Sequence, residues 1–293
     1  MLPQSGWAKW PVYLFFTLLP LLIHPVLAQD STLVQINPDS SIASQKPYLK
    51  GVVQRVGQDG VSAFHTIVKS YARPLHWQKR DFLRLGGALA ISAAGLLVEQ
   101  RLYTFTQQNQ TATLDHLERV GFRLGQPQLN YPIMLTLWGS GVLLNNDWLR
   151  DTGIMVIASV TTSGLIQTAS KEIFGRPRPN TGMGNVALRP FGGPAYHSFP
   201  SGHASLATAT FWVLAKQVNW VPLKVVFYAL PLITGASRIY AGAHWLSDVF
   251  LGTALGIAFA ESVVRIYPLV KANRKYSLKL APGPGGIGLL VRY

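Results

Sequence analysis

Six apolar runs dominate the chain: about 82–98, 131–144, 152–170, 203–215, 221–237 and 245–267. Their lengths suit helices, and glycine or proline punctuates most of the gaps between them. The last run is the clearest. It carries Gly252 and Gly256 four apart, a spacing that lets two helices approach closely, with Trp245 and Tyr267 near its ends where a membrane interface favours them. The second and fourth runs fall short of the ~20 residues a membrane span needs. The expected fold is an all-α, membrane-associated six-helix bundle.

Composition agrees with a membrane location. Apolar residues make up 48% of the 293 and charged residues only 13%, against roughly 25% charged in soluble domains. The formal net charge of +14 comes without any nucleic-acid motif or basic patch interleaved with aromatics, so the partner it suggests is an anionic membrane surface and no nucleic acid is expected. The absence of cysteine removes disulfides, thiolate chemistry and zinc–cysteine sites. Residues 1–28 read as a secretory signal: Lys9, an apolar stretch from Val12 to Ile23, then Val26-Leu27-Ala28 before Gln29. An uncleaved anchor is the alternative. Residues 29–81 form a polar and interfacial extension. Its first part, to about Gly60, lacks an apolar period, and its Val61–Arg84 part interleaves aromatic and basic residues as an interfacial helix would. The domain proper is 82–268, and 269–293 is a basic tail whose Pro282-Gly283-Pro284-Gly285-Gly286 suggests a hairpin.

Three polar clusters interrupt this apolar background. The first is Lys171-Glu172-Ile173-Phe174-Gly175-Arg176-Pro177-Arg178-Pro179 and the second Phe199-Pro200-Ser201-Gly202-His203. The third runs from Ser237-Arg238 to His244 and Asp248. On a helix His244 and Asp248 share a face, so the carboxylate can either orient the imidazole or simply cap a helix start. Lys171, Arg178 and Arg238 supply fixed positive charge, and guanidinium forks suit phosphate oxygens. Ser201-Gly202-His203 lies where a helix should begin, which aims free N–H groups at an anion, and Gly202 allows close approach.

In order, these clusters read Lys-x6-Arg-Pro, Pro-Ser-Gly-His and Ser-Arg-x5-His-x3-Asp. The chain resembles the type 2 phosphatidic acid phosphatase family over roughly residues 80–268; that family shares its fold with bacterial acid phosphatases and vanadium haloperoxidases. The resemblance implies catalytic His244, His203 and Asp248, and a phosphate cradle of Lys171, Arg178, Ser201, Gly202 and Arg238. His244, oriented by Asp248, would attack phosphorus, His203 would protonate the leaving oxygen, and water would release the phosphate. With fixed cations in place no metal or other cofactor is expected. Only Arg178 lies at the family spacing from Lys171, so Arg176 reads as a lipid-headgroup or structural contact. Ser247 reads as a helix-terminal hydroxyl.

The expected activity is hydrolysis of the phosphomonoester or diphosphate of a membrane lipid. The alternatives are an exported acid phosphatase on soluble esters and a vanadate-dependent haloperoxidase. Lys216, Lys224 and the basic tail lie opposite the motifs, which places the active site on the periplasmic or outer face of a bacterial inner membrane. Six spans would put residues 30–81 in the cytoplasm, against a cleaved signal, so either the signal is an anchor or one run before the first motif, the short second one first, does not cross.

Overall fold

A computed structural model of the protein describes residues 45–273, 277–283 and 286–292, with side chains over 51–273. The signal reading of 1–28 therefore lies outside the described residues. The chain divides into two compact units, Met1–Leu49 and Lys50–Tyr293, and the following concerns the second. Nine α-helices are present among the described residues, rather than six.

The six apolar runs are all helical. They are α2 (Lys79–Gly95), α5 (Pro127–Leu143), α6 (Asp147–Phe174), α7 (Gly202–Gln217), α8 (Val221–Tyr240) and α9 (Leu246–Ala272). The three others are α1 (Gln45–Ala72), α3 (Glu99–Gln108) and α4 (Ala112–Leu124). Local chemistry sets the ends. Asn146 accepts a hydrogen bond from the Leu149 N–H at 3.0 Å and starts α6. Gly175, at φ +55°, stops it in the left-handed conformation that favours glycine. Ser201 caps α7.

Helix α1 corrects one expectation and adds a helix where no apolar period marked one. Residues 45–60 are helical, and no single helix covers Val61–Arg84: Pro74 sits in a short 3-10 turn, Arg73–His76, that ends α1. The buried stripe of α1 is Asp59, Ser62, Thr66 and Ser70, which no apolar period can reveal. Ser62 and Thr66 donate back to carbonyls four residues earlier, at 2.8 and 2.7 Å. Asp59 accepts from Trp138 Nε1 at 3.1 Å and pairs with Arg150 at 3.3 Å. Tyr71 Oη donates to the Thr162 carbonyl at 2.8 Å. Two ties with the same sequence offset make α1 run parallel to α6.

Helices α6, α7 and α9 pack on one another, and α8 packs on α7. The glycine pair of α9 performs the role its spacing suggests. A Cβ on Gly252 would stand 2.5 Å from the Ser201 carbonyl oxygen, and one on Gly256 2.7 Å from Thr208 Cβ. The bundle buries Thr152, Ser159, Thr162, Thr208 and Thr210 completely, while Phe82, Leu83, Leu165, Val225, Leu232, Phe250 and Leu269 lie exposed. Small polar residues inside and large apolar ones outside suit a lipid surround. Among the described residues α6 and α9 are long and apolar enough to cross a membrane; α2 and α3, bent by 55° at their junction, make a third span only if taken together. At 16 residues, α7 is about 24 Å long, short of the ~30 Å hydrocarbon core.

Past α9 the tail forms the hairpin its sequence suggests, β1 (Ser277–Gly283) antiparallel to β2 (Gly286–Arg292). Alternating helix directions bring the C-termini of α6 and α8 and the N-termini of α7 and α9 to one end of the bundle. Lys216 and Lys271 mark the other, where they pair with Glu261 and Asp151.

Candidate active site

All three polar clusters meet at the end opposite Lys216 and Lys271. Lys171 is in the last turn of α6, and Gly175 turns the chain directly into Arg176-Pro177-Arg178. A Cβ built on Gly202 would lie 3.3 Å from Lys171 Nζ, which brings the lysine over the first turn of α7. Ser201 donates its N–H to the Asp248 carbonyl at 2.9 Å, binding the start of α7 to the start of α9. Arg238, buried at the end of α8, accepts at its carbonyl from the Ala243 and His244 N–H groups at 3.1 and 3.3 Å. Those two bonds close the turn that presents His244.

The charges converge on the two histidines. Burial, then Arg238, Lys171 and Arg178, pull the His203 imidazole down to about 4. Burial, then Arg178 and Lys171, hold His244 well below the ordinary histidine range. Both rings are therefore neutral at pH 7. Nδ1 of His244 lies 2.7 Å from the Ser198 carbonyl, which can only accept, so Nδ1 carries the proton and Nε2 the free lone pair.

The direct His244–Asp248 contact expected from their spacing is replaced by a relay. Asp248 lies in the first turn of α9. Its Oδ2 accepts from the Trp245 N–H at 2.9 Å and from Ser198 Oγ at 2.5 Å, and its Oδ1 from Arg176 Nη1 at 2.5 Å. The carboxylate thus caps α9 and holds Ser198, whose carbonyl holds the imidazole. Both readings of Asp248, cap and orienter, describe the same atom.

Arg176 is structural and too buried to meet a headgroup, at 4% exposure. Besides Asp248 it pairs with Glu99 and donates to Ser247 Oγ at 2.7 Å. Ser247 Oγ in turn donates to Glu99 Oε2 at 2.6 Å, so its hydroxyl is engaged at the helix start as expected. Glu99, 1% exposed, was not legible. It opens α3 at the bend after α2, and its partner is 77 residues away.

Helix α4 was also missed. Its Glu118 pairs with Arg238. Its Phe122 ring lies 4.4 Å beneath the Arg238 guanidinium and stacks on His203 with centroids 5.0 Å apart. A Cβ on Gly121 would come within 2.6 Å of Ser237 Cβ, and one on Gly125 within 2.7 Å of His203 Cβ. The spacing 118, 121, 122, 125 is one helix face, visible in the sequence only as glycines at helical intervals.

The sequence pattern of the PAP2 superfamily matches this chain. The PAP2 match covers residues 152–271. It takes in every motif residue from Lys171 to Asp248 and omits Glu99, Glu118 and Phe122. Over 160 residues the chain is 31% identical to a lipid A 1-phosphatase of Rhizobium etli, a stretch that covers 54% of this chain and 65% of that protein. It is 28% identical over 157 residues to an undecaprenyl-diphosphatase of Sulfolobus acidocaldarius, covering 53% of this chain and 71% of the other. The chain spans less than two thirds of the length of the Rhizobium relative. Among solved structures, a transmembrane PAP2-type phosphatidylglycerolphosphate phosphatase from Bacillus subtilis superposes with a TM-score of 0.53 at 18% identity. That superposition covers 67% of this chain and all of the other, and it shows the shared PAP2 fold.

Proposed function

We propose that the protein is a membrane phosphatase that hydrolyses the phosphomonoester or diphosphate of a lipid through a phosphohistidine. One observation carries the reading: Lys171 and Arg178 act on both His203, at the N-terminus of α7, and His244, in the turn before α9, and Arg238 acts on His203 as well. The PAP2 match and the lipid phosphate substrates named for the relatives support it.

The three cations and the free N–H groups of α7 bind the phosphoryl oxygens. His244 Nε2 attacks phosphorus in line, forming the N–P bond as the P–O bond to the lipid breaks. The approach of a dianion cancels the cationic field on His203, which can then bind a proton and pass it to the leaving oxygen. His203, now neutral, takes a proton from water as that water attacks the phosphohistidine and frees inorganic phosphate. The active site faces the periplasm or exterior, in contact with an anionic membrane surface.

Phosphate release from a panel of lipid phosphates tests the reading. His244→Ala should abolish release and 32P trapping on the protein. His203→Ala should lose lipid substrates while sparing aryl phosphates, whose leaving oxygen needs less protonation. Equal loss on both would remove the acid role from His203.

A further inference from the structure

The pairing of Arg238 with Glu118 is costly for a guanidinium meant to hold phosphate, because a carboxylate competes for the same donors. Arg238 Nε donates to Ser237 Oγ at 3.1 Å and Nη2 serves Glu118. A guanidinium has five N–H donors, so three remain for a ligand, the two on Nη1 and one on Nη2. Glu118 is not an incidental surface partner. It shares a face of α4 with Phe122, which stacks on both Arg238 and His203, and with Gly121 and Gly125, whose missing side chains let α4 reach this depth.

We infer that Glu118 is a specificity-determining residue, which tunes the phosphoryl site to a monoester dianion in preference to a diphosphate. The inference rests on the phosphatase reading above. Lys171, Arg178 and Arg238 bring three positive charges and Glu118 removes one, with both histidines neutral. The surplus of two matches a phosphomonoester, which carries about −1.5 to −2 at pH 7. A diphosphate brings further negative charge, and Glu118 repels it at short range. Asp248 also acts on Lys171 and Arg178, but it is paired with Arg176, which bridges it to Glu99, and a change at position 118 leaves that layer as it is.

The test uses the full chain in detergent and two probe anions, inorganic phosphate and pyrophosphate, with affinities from titration calorimetry. Wild-type protein should bind phosphate more tightly than pyrophosphate. Glu118→Gln should raise the pyrophosphate-to-phosphate affinity ratio by about tenfold, the effect of one charge in a partly screened site. The ratio of kcat/KM for a prenyl diphosphate over the matching monophosphate should rise with it, and Glu118→Asp should keep both wild-type ratios. An unchanged ratio, or equal loss of both anions, would make the ion pair a mere tie between α4 and α8 and overturn the assignment. A wild-type preference for pyrophosphate would overturn it without any variant. An inactive wild-type chain that still shows the ratio shift would defeat the phosphatase reading and leave this assignment standing. Active enzyme with an unshifted ratio would do the reverse.

Discussion

At the scale of single residues, carboxylates hold the site's arginines: Glu99 and Asp248 on Arg176, Glu118 on Arg238. Asp248 reaches His244 through Ser198, so the two should act as one unit. Asp248→Asn should lower turnover by roughly two or more orders of magnitude, by analogy with the loss of a histidine-orienting carboxylate. Ser198→Ala keeps the carbonyl bonded to Nδ1 and should cost less. The double variant should be no worse than Asp248→Asn alone, and kinetics of the three would expose additivity if the relay is wrong. His203 makes a separate prediction. At pH 6 it is neutral, being held at about 4 by burial and three cations. A bound dianion raises that value, so binding must take up protons on this group. Calorimetry of phosphate binding in buffers of different ionisation enthalpy should show greater proton uptake for wild type than for His203→Gln, the ligand's own titration cancelling in the difference.

At the scale of elements, glycines decide how deep each helix sits. Gly256→Val drives a side chain into Thr208 and the Ser205 carbonyl, and overpacking of this kind costs about 1–3 kcal/mol. Gly164→Ala meets nothing within 4 Å and should hold or raise the melting temperature. Thermal melts of both in the same detergent check the pair. The elements were unequally legible. All six apolar runs became helices because apolar periodicity is a local signal, and the glycine pair of α9 was readable for the same reason. Residues 45–60 of α1 escaped because they carry no apolar period, and the residue buried among 51–60 is Asp59; α3 and α4 escaped because they are short and mixed. The motif residues were recognisable as an ordered pattern. Glu99 and Glu118 were not, since each is defined by a partner 77 or 120 residues away that no window on the sequence contains.

At the scale of the whole molecule, the motifs lie at one end and Lys216 and Lys271 at the other, so the protein should cross the membrane with the basic end inside. The native chain has no cysteine, so single cysteines report cleanly. Val186, 75% exposed in the loop between the first two clusters, accepts a cysteine better than Gly184, whose φ of +83° strains any side chain. A membrane-impermeant thiol reagent on intact cells should label Val186→Cys, and Asn273→Cys only after lysis; the opposite pattern would invert the protein. Glu99 and Glu118 also bear on how this region could be moved between proteins. A segment cut to 152–271 would carry every residue of the three motifs and still leave Arg238 without Glu118, and Arg176 with one acid where it now has two. Those guanidiniums are buried, and removing one partner of a buried pair costs about 3–5 kcal/mol. The site is therefore not a detachable cassette: a segment that keeps these buried pairs whole must begin upstream of Glu99.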